Sequence, residues 1–247
     1  MPTVRNVFLK TLSIYFNTFY LMMGFGIFII LSLILLPLLS SYVSVGGGFI
    51  RFSSIIFDMT LLQAVVLIVV TLVSLLLLSF FVSAVISVVK VKETLDEVTF
   101  ERVKALFPKY VWRIFFFFLL IGVVSILIGT FLDFIYAPRF LTHLILAAVW
   151  LAVVFTPQIL ILEDLPLGKA INDTLTFVRN SPIALVWYVV FGLLCLFFLA
   201  LLEVALGLVL VWEHHIITVI LVSMLVLPLL EILGAELYIR RYHISRV

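Results

Sequence analysis

The sequence EDLPLGKAINDTLTFVRNSP, from Glu163 to Pro182, is the clearest polar interruption between two long apolar runs. Apolar residues recur in it at spacings of four and three, the period of a helix with one apolar face. They are Leu167, Ile171, Leu175 and Val178. The polar residues of the segment include Lys169, Asn172, Asp173, Thr176, Arg179 and Asn180. This pattern predicts an amphipathic helix on a membrane surface, and Ser181 with Pro182 predicts the start of a new helix.

The composition places the chain in the membrane class. Of the 247 residues, 66% are hydrophobic and 11% are charged, and the mean hydropathy is +1.41. A soluble domain has a much more polar composition. The net charge of +2 and the absence of a basic face exclude nucleic acid as an expected partner. We therefore expect an integral membrane protein whose partners are membrane lipids, with other membrane proteins or self-association as further possibilities.

Six apolar segments are long enough to cross a bilayer, which takes about 20 residues each. They are Phe19 to Val45, Leu61 to Val89, Trp112 to Tyr136, Leu141 to Leu162, Ile183 to Val211 and Ile216 to Ile239. Kinks are expected at the prolines inside these spans, which are Pro37, Pro157 and Pro228. The predicted fold is a single all-α membrane domain with six transmembrane helices and cytoplasmic interfacial helices.

Basic residues predict the orientation. The two termini and the second and fourth connections hold thirteen of the 15 lysines and arginines, whereas Arg51 and Arg139 lie in the other connections. Because cytoplasmic segments carry the excess of positive charge, both termini are expected in the cytoplasm of a multi-pass cell-membrane protein.

Two segments suggest an internal repeat. KTLSIYFN, residues 10–17, matches DTLTFVRN, residues 173–180, in character at most positions, and each precedes an apolar run. Between them, residues at helical spacing are Phe100, Val103, Phe107 and Tyr110. We predict three hairpin units, 1–90, 91–163 and 164–247, in which Leu12, Leu106 and Leu175 are equivalent. Sites in repeated membrane folds often lie at repeat interfaces.

The last third also carries a family resemblance. Its residues are Gly168, Ala170, Thr174, Arg179 and Asn180, in a short helix before a span. This arrangement resembles poorly characterised prokaryotic six-helix membrane proteins, the YciC-like group among them, and the membrane domain of some glycerophosphodiester phosphodiesterases. The chain has no room for the soluble phosphodiesterase barrel, so the resemblance does not imply that activity.

No catalytic motif accompanies this pattern. The sequence lacks a phosphate loop, a His-Glu-x-x-His motif and a Gly-x-Ser-x-Gly motif, which predicts a protein that is not an enzyme and that needs no cofactor or metal. Residue types able to bind a metal do occur on the predicted outer side, chiefly Asp133, His143, Glu213 and His214. We interpret them as a solvated rim in preference to a metal or catalytic site.

Carboxylates inside predicted spans are the main candidate sites. Glu203 and Glu231 each lie nine residues before an interfacial residue, or roughly 13 Å inside a helix end. A charge there is costly without water or a partner, so an ion or proton path is one interpretation and a buried packing residue is the other. Small residues on the second and third spans predict close helix packing. These are Ser79, Ser83, Ser87, Gly122 and Gly129.

Three functional hypotheses follow. The first is a non-enzymatic scaffold or accessory protein associated with lipids or partner proteins. The second is a small-solute or ion transporter or channel that uses Glu203 and Glu231. The third, which has the least support, is a lipid-modifying enzyme that uses the outer acidic and histidine residues.

Overall fold

The computed structural model describes residues 4–35, 43–44, 49–50, 61–94, 97–207 and 214–242, with side chains for 6–32, 65–66, 68–94, 97–207 and 217–240. Its helices are α1 (Val4–Asn17), α2 (Phe19–Leu35), α3 (Leu61–Thr94), α4 (Phe100–Leu106), α5 (Pro108–Phe134), α6 (Arg139–Val153), α7 (Thr156–Leu162), α8 (Leu167–Asn180), α9 (Pro182–Gly207), α10 (His214–Leu221) and α11 (Leu227–Tyr242). A π-helical segment, Val222–Val226, joins α10 to α11. The strands β1 (Val43–Ser44) and β2 (Phe49–Ile50) form a small antiparallel pair between α2 and α3. The described chain is almost entirely helical, as predicted.

Five helical segments are long and apolar enough to cross a membrane. They are Ile68–Thr94, Pro108–Phe134, Arg139–Leu162, Pro182–Gly207 and Ile217–Arg240. These correspond to the second to sixth predicted spans. The sixth candidate is a bent pair, Asn6–Asn17 with Phe19–Ser32, whose halves meet at 84°. Among the described residues the candidate spans therefore number five, or six if this pair forms one. The first predicted span starts where α2 starts. Its residues 36–42 and 45 lie outside the described residues, and Val43 and Ser44 form strand β1 instead of continuing a helix.

Helix α3 occupies the centre of the bundle and packs against α2, α4, α5, α7 and α11. Every side chain from 83 to 89 is fully buried. Small and β-branched residues allow helices to approach on several sides at once, which explains this position. The packing predicted for Ser79, Ser83 and Ser87 is confirmed, because all three are fully buried. The Ser79 hydroxyl donates to the Leu75 carbonyl at 2.7 Å.

Pro228 accounts for the irregular turn in the last span. Proline lacks an N–H group and its ring crowds the carbonyl four residues earlier, which here belongs to Met224. That carbonyl lies in the π-helical segment and accepts a hydrogen bond from the Tyr15 hydroxyl at 2.8 Å. Pro157 similarly follows the break between α6 and α7. Pro37 lies outside the described residues.

The predicted close packing at Gly122 and Gly129 is wrong. A Cβ atom at either position would meet nothing within 4 Å. Close approach occurs instead at Gly26, where a Cβ would lie 3.0 Å from Met224 Cγ. The partner of Gly26 comes from the far end of the sequence, so local spacing could not reveal it.

Helix α8 packs against α6, α7 and α9 at one end of the bundle. Its buried residues are Ala170, Thr174 and Phe177, whereas Leu175 is 46% exposed. The predicted apolar face is therefore rotated. The cause is contact with α7, where the Thr156 hydroxyl lies 3.0 Å from the Thr174 hydroxyl. A small polar side chain on this face allows the two helices to meet.

Three helix breaks each contain a backbone hydrogen bond of the same type. At each one an N–H donates to the carbonyl four residues earlier, at 3.1, 3.0 and 2.8 Å, and a new helix starts at the next residue. The donors are Thr18, Phe107 and Ser181. The acceptors are Ile14, Val103 and Phe177, and these three acceptor residues are buried. Each break thus turns the chain at a residue held against the core.

The breaks give a register for comparing the predicted repeat units. Leu12 and Leu175 each lie six residues before a break, whereas Leu106 lies one residue before its break. In this register Leu106 does not align with the other two leucines, and the equivalence of the three stays a prediction. Division into the units 1–90, 91–163 and 164–247 stays a prediction.

Candidate functional site

Charged side chains gather at the end of the bundle formed by α1, α4, α8 and the adjoining ends of α3 and α11, here called the basic end. Lys10 pairs with Glu93 of α3 and lies 3.0 Å from Glu236 of α11. Glu236 is fully buried, and its other oxygen lies 3.6 Å from Arg240. The Arg240 guanidinium donates to the Asn6 carbonyl at 3.1 Å. A buried carboxylate is tolerated where cations offset its lost hydration, so this cluster fixes α1 against α11.

A second cluster lies between α5 and the turn after α7. Lys109 and Arg113 both bind Asp164, and the Arg113 contact is 3.1 Å long. The hydrogen bond from Lys109 lowers the pKa of Asp164 below its ordinary value. Asp164 has a φ of 55°, in the left-handed region that aspartate tolerates better than most residues. Next to it, the Tyr238 hydroxyl donates to the Glu163 carboxylate, which links the same turn to α11.

Lys90 of α3 makes a third link. Its ammonium group donates to the Ile161 carbonyl at 2.6 Å and to the Tyr110 hydroxyl at 3.0 Å. Ile161 lies in the last turn of α7, where carbonyl groups lack partners within the helix and a lysine is favourable. The three links together join α1, α3, α5, α7 and α11.

The predicted interfacial residues lie on α8 with different exposure. Lys169, Arg179 and Asn180 are exposed, whereas Asp173 is half-buried. In the part of the chain that the structure describes, Lys169 and Arg179 form no ion pair. Their charges are therefore presented outward at the basic end.

Glu231, one of the two predicted intramembrane sites, contacts a partner that the sequence did not suggest. Gln158 of α7 donates its amide Nε2 to Glu231 Oε2 at 2.7 Å. Gln158 is 1% exposed, and its Oε1 atom has no hydrogen-bond partner within the described residues. Gly234 makes the approach possible, because a Cβ there would lie 3.1 Å from Gln158 Nε2. The result is a polar contact between α7 and α11 in which Gln158 is buried and Glu231 is half-buried.

Glu203, the other predicted intramembrane site, is placed differently. It is half-buried on α9, a helix with no buried residue, four residues before the described end of that helix at Gly207. It lies outside the contact of Glu231 with Gln158. The sequence predicted the two glutamates as one kind of site, whereas the structure gives them different surroundings.

The predicted outer rim is only partly described. Asp133 is exposed near the end of α5, and His143 is exposed with its Nδ1 atom 2.6 Å from the Arg139 carbonyl. Glu213 lies outside the described residues, as does the side chain of His214. Among the described side chains, no group of three metal-binding residue types is found.

An apolar groove of about 480 Å³ opens between α2 and α4. It is lined by Tyr20, Leu21, Gly24, Phe25, Phe28, Phe100, Lys104 and Phe107. One wall is aromatic, since the Phe25 ring stacks on Phe100 at 6.4 Å and meets Phe107 at 6.0 Å between centroids. Lys104 is the one charged residue of the lining. Helical spacing indicated Phe100 and Phe107 as one face of a helix, but the groove itself depends on α2, which is distant in sequence.

Comparison with protein-family models, curated proteins and solved structures gives no match.

Proposed function

We propose that this chain is a non-enzymatic integral membrane protein that acts as a scaffold associated with lipids and partner proteins, with both termini in the cytoplasm. The main support is that charged side chains at the basic end form ion pairs between helices. The ion pairs Lys10–Glu236 and Arg113–Asp164 each join two different parts of the chain. Ion pairs of this kind hold the helices of the bundle together. Exposed lysines and arginines outside these pairs are left to contact anionic headgroups.

The surface of α9 also supports this proposal. This helix has no buried residue, and its apolar side chains face outward. Those more than half exposed are Ile183, Val186, Leu193, Phe197, Phe198, Leu201 and Val204. Such a surface suits lipid chains or the helix of a partner membrane protein.

Thermal unfolding in lipid nanodiscs tests the scaffold proposal. We expect a higher Tm in phosphatidylglycerol than in phosphatidylcholine, because a ligand that binds only the folded state raises its stability. Ion and solute flux in vesicles containing the protein should equal that of empty vesicles. Equal Tm values in the two lipids, or flux above the empty control, would overturn the proposal.

Transport is a second candidate, favoured by the contact of the half-buried Glu231 with the buried Gln158. An intramembrane carboxylate is a common element of ion and proton paths. This alternative predicts flux that disappears in Glu231→Gln and persists in Glu101→Gln, a control at an exposed glutamate of α4. A parallel Glu203→Gln variant shows whether the half-buried glutamate of α9 takes part.

A further inference from the structure

The groove between α2 and α4 lies where a membrane surface would meet the protein. Its long walls are aromatic and aliphatic, and Lys104 stands on α4 at the basic end. Tyr20 is 61% exposed, and its hydroxyl donates to the Val98 carbonyl at 3.4 Å. Tyrosines with an apolar ring and a polar tip settle at the headgroup level of bilayers. The groove thus combines a tyrosine and a lysine with an apolar lining, a composition that suits a site at the membrane interface.

We propose that this groove binds one anionic glycerophospholipid, with an acyl chain along Phe25 and Phe100 and the headgroup phosphate paired with Lys104. The proposal rests on the lipid-associated function proposed above and names the lipid class and its site. The groove volume of about 480 Å³ falls in the range of small-molecule sites, which are mostly apolar with a few polar groups that fix orientation. The lining has this composition.

Charge complementarity selects an anionic headgroup. Lys104 is exposed and forms no ion pair with any residue that the structure describes. The neighbouring Arg102 is engaged, since its guanidinium donates to the Glu97 carbonyl at 2.8 Å. An ammonium group beside an apolar groove and without a protein carboxylate partner suits a phosphate whose lipid chain enters the groove.

Gly24 offers a direct way to close the groove. It lines the cavity, and a Cβ atom there would meet nothing within 4 Å. A leucine side chain at this position would extend into the groove and occupy the volume that the acyl chain fills in the proposed complex. Gly122 of α5 provides a matched control, because a Cβ there also meets nothing within 4 Å and the residue is outside the groove lining.

Native mass spectrometry with dioleoyl phosphatidylglycerol or dioleoyl phosphatidylcholine measures the binding. We expect Lys104→Gln to weaken phosphatidylglycerol binding about fivefold, the factor one basic residue contributes at an anionic surface, and to leave phosphatidylcholine binding unchanged. Gly24→Leu should weaken the binding of both lipids. The controls Arg139→Gln, at an exposed arginine at the start of α6, and Gly122→Leu should bind both lipids as the wild type does. Wild-type binding in Lys104→Gln or Gly24→Leu would overturn the proposal.

Photocrosslinking of the wild type provides a test that does not depend on the folding of a variant. A phosphatidylglycerol with a diazirine in its acyl chain should label residues 20–28 and 100–107. Labelling confined to other segments would overturn the groove site. If the wild type still prefers phosphatidylglycerol but the groove variants have no effect, only the site is wrong. If the wild type shows no lipid preference, the proposed lipid-associated function fails as well.

Discussion

Glu236 has no exposed surface, and it retains its place because Lys10 and Arg240 lie close to it. The net free energy of such a cluster is the difference between two opposing terms. Each carboxylate loses hydration on burial, and the nearby cations offset that loss. A change of one partner therefore costs more than the loss of the whole pair.

Lys10→Met tests this balance. Removal of one partner from a buried ion pair costs about 3–5 kcal/mol, and the remaining Arg240 should reduce this cost to about 2 kcal/mol. Unfolding of the detergent-solubilised protein by SDS titration measures the change. Lys169→Met, at an exposed lysine of α8, should leave the unfolding free energy within about 0.5 kcal/mol of the wild type. The double variant Lys10→Met/Glu236→Met should be more stable than Lys10→Met, and a lower stability would contradict the balance argument.

Asp164 carries a pH-dependent part of the stability. Its pKa is lowered by the hydrogen bond from Lys109, from an ordinary value of 3.8. A carboxylate with a lowered folded pKa stabilises the protein above its ordinary pKa, and the contribution disappears as the pH falls through the folded value. Because the side chain is 41% exposed, Asp164→Asn should cost no more than about 1 kcal/mol at pH 7. The gap between the two unfolding free energies should close below about pH 4. A gap that is the same at pH 7 and pH 3 would exclude this mechanism.

At the residue scale, the sequence identified which groups were unusual but not what they contact. Glu231 was singled out because a carboxylate in an apolar run needs a partner, yet Gln158 lies 73 residues away in the chain. The glycines show the same limit. Gly122 and Gly129 have a packing spacing but open surroundings, whereas Gly26 and Gly234 are close to other helices. Such contacts depend on which helices meet, and local spacing does not contain that information.

At the scale of elements, one hydrogen bond links Tyr15 to the π-helical segment that precedes Pro228. The Met224 carbonyl lacks its usual donor because residue 228 is proline, and the Tyr15 hydroxyl takes that place at 2.8 Å. Helix α1 thus completes the hydrogen bonding of the π-helical segment between α10 and α11.

Tyr15→Phe tests the contribution of this hydrogen bond. It should lower the free energy of unfolding by about 1 kcal/mol, since the carbonyl is left unpaired. In a Pro228→Ala background the same change should cost much less, because the alanine N–H can serve the Met224 carbonyl. SDS unfolding of the four proteins gives the coupling energy. Tyr20→Phe is the control, since its hydroxyl is exposed and its contact is 3.4 Å long. Equal costs of Tyr15→Phe in both backgrounds would refute the coupling.

The elements themselves could be predicted well from the sequence where composition alone determines them. The second to sixth spans follow from runs of about 20 apolar residues, which need no knowledge of partners. The face of α8 could not be predicted as reliably. Leu175 fits an apolar stripe, but contact with α7 selects Thr174 for burial because its hydroxyl meets that of Thr156. Tertiary contact thus rotates the buried face of a helix whose existence the sequence predicts correctly.

At the scale of the whole molecule, the first and last described helices meet. Helix α1 packs against α11, as α8 packs against α7, and Arg240 donates to the Asn6 carbonyl. Each contact places a short helix beside the end of a span and before the next span. The two contacts are similar in kind, although the segments involved are unevenly spaced in the sequence.

Cysteine labelling tests how the bundle is oriented in the membrane. Arg139 and Lys169 are both exposed, and the span Arg139–Leu162 separates them, so they should lie on opposite sides of the membrane. The excess of basic residues assigns Lys169 to the cytoplasm. Cys195 is the one native cysteine, and Cys195→Ala gives a background without thiols. In intact cells a membrane-impermeant maleimide should label Arg139→Cys and leave Lys169→Cys unlabelled until the membrane is permeabilised. The reverse pattern would invert the orientation, and labelling of both sites in intact cells would show that residues 139–162 do not cross the membrane.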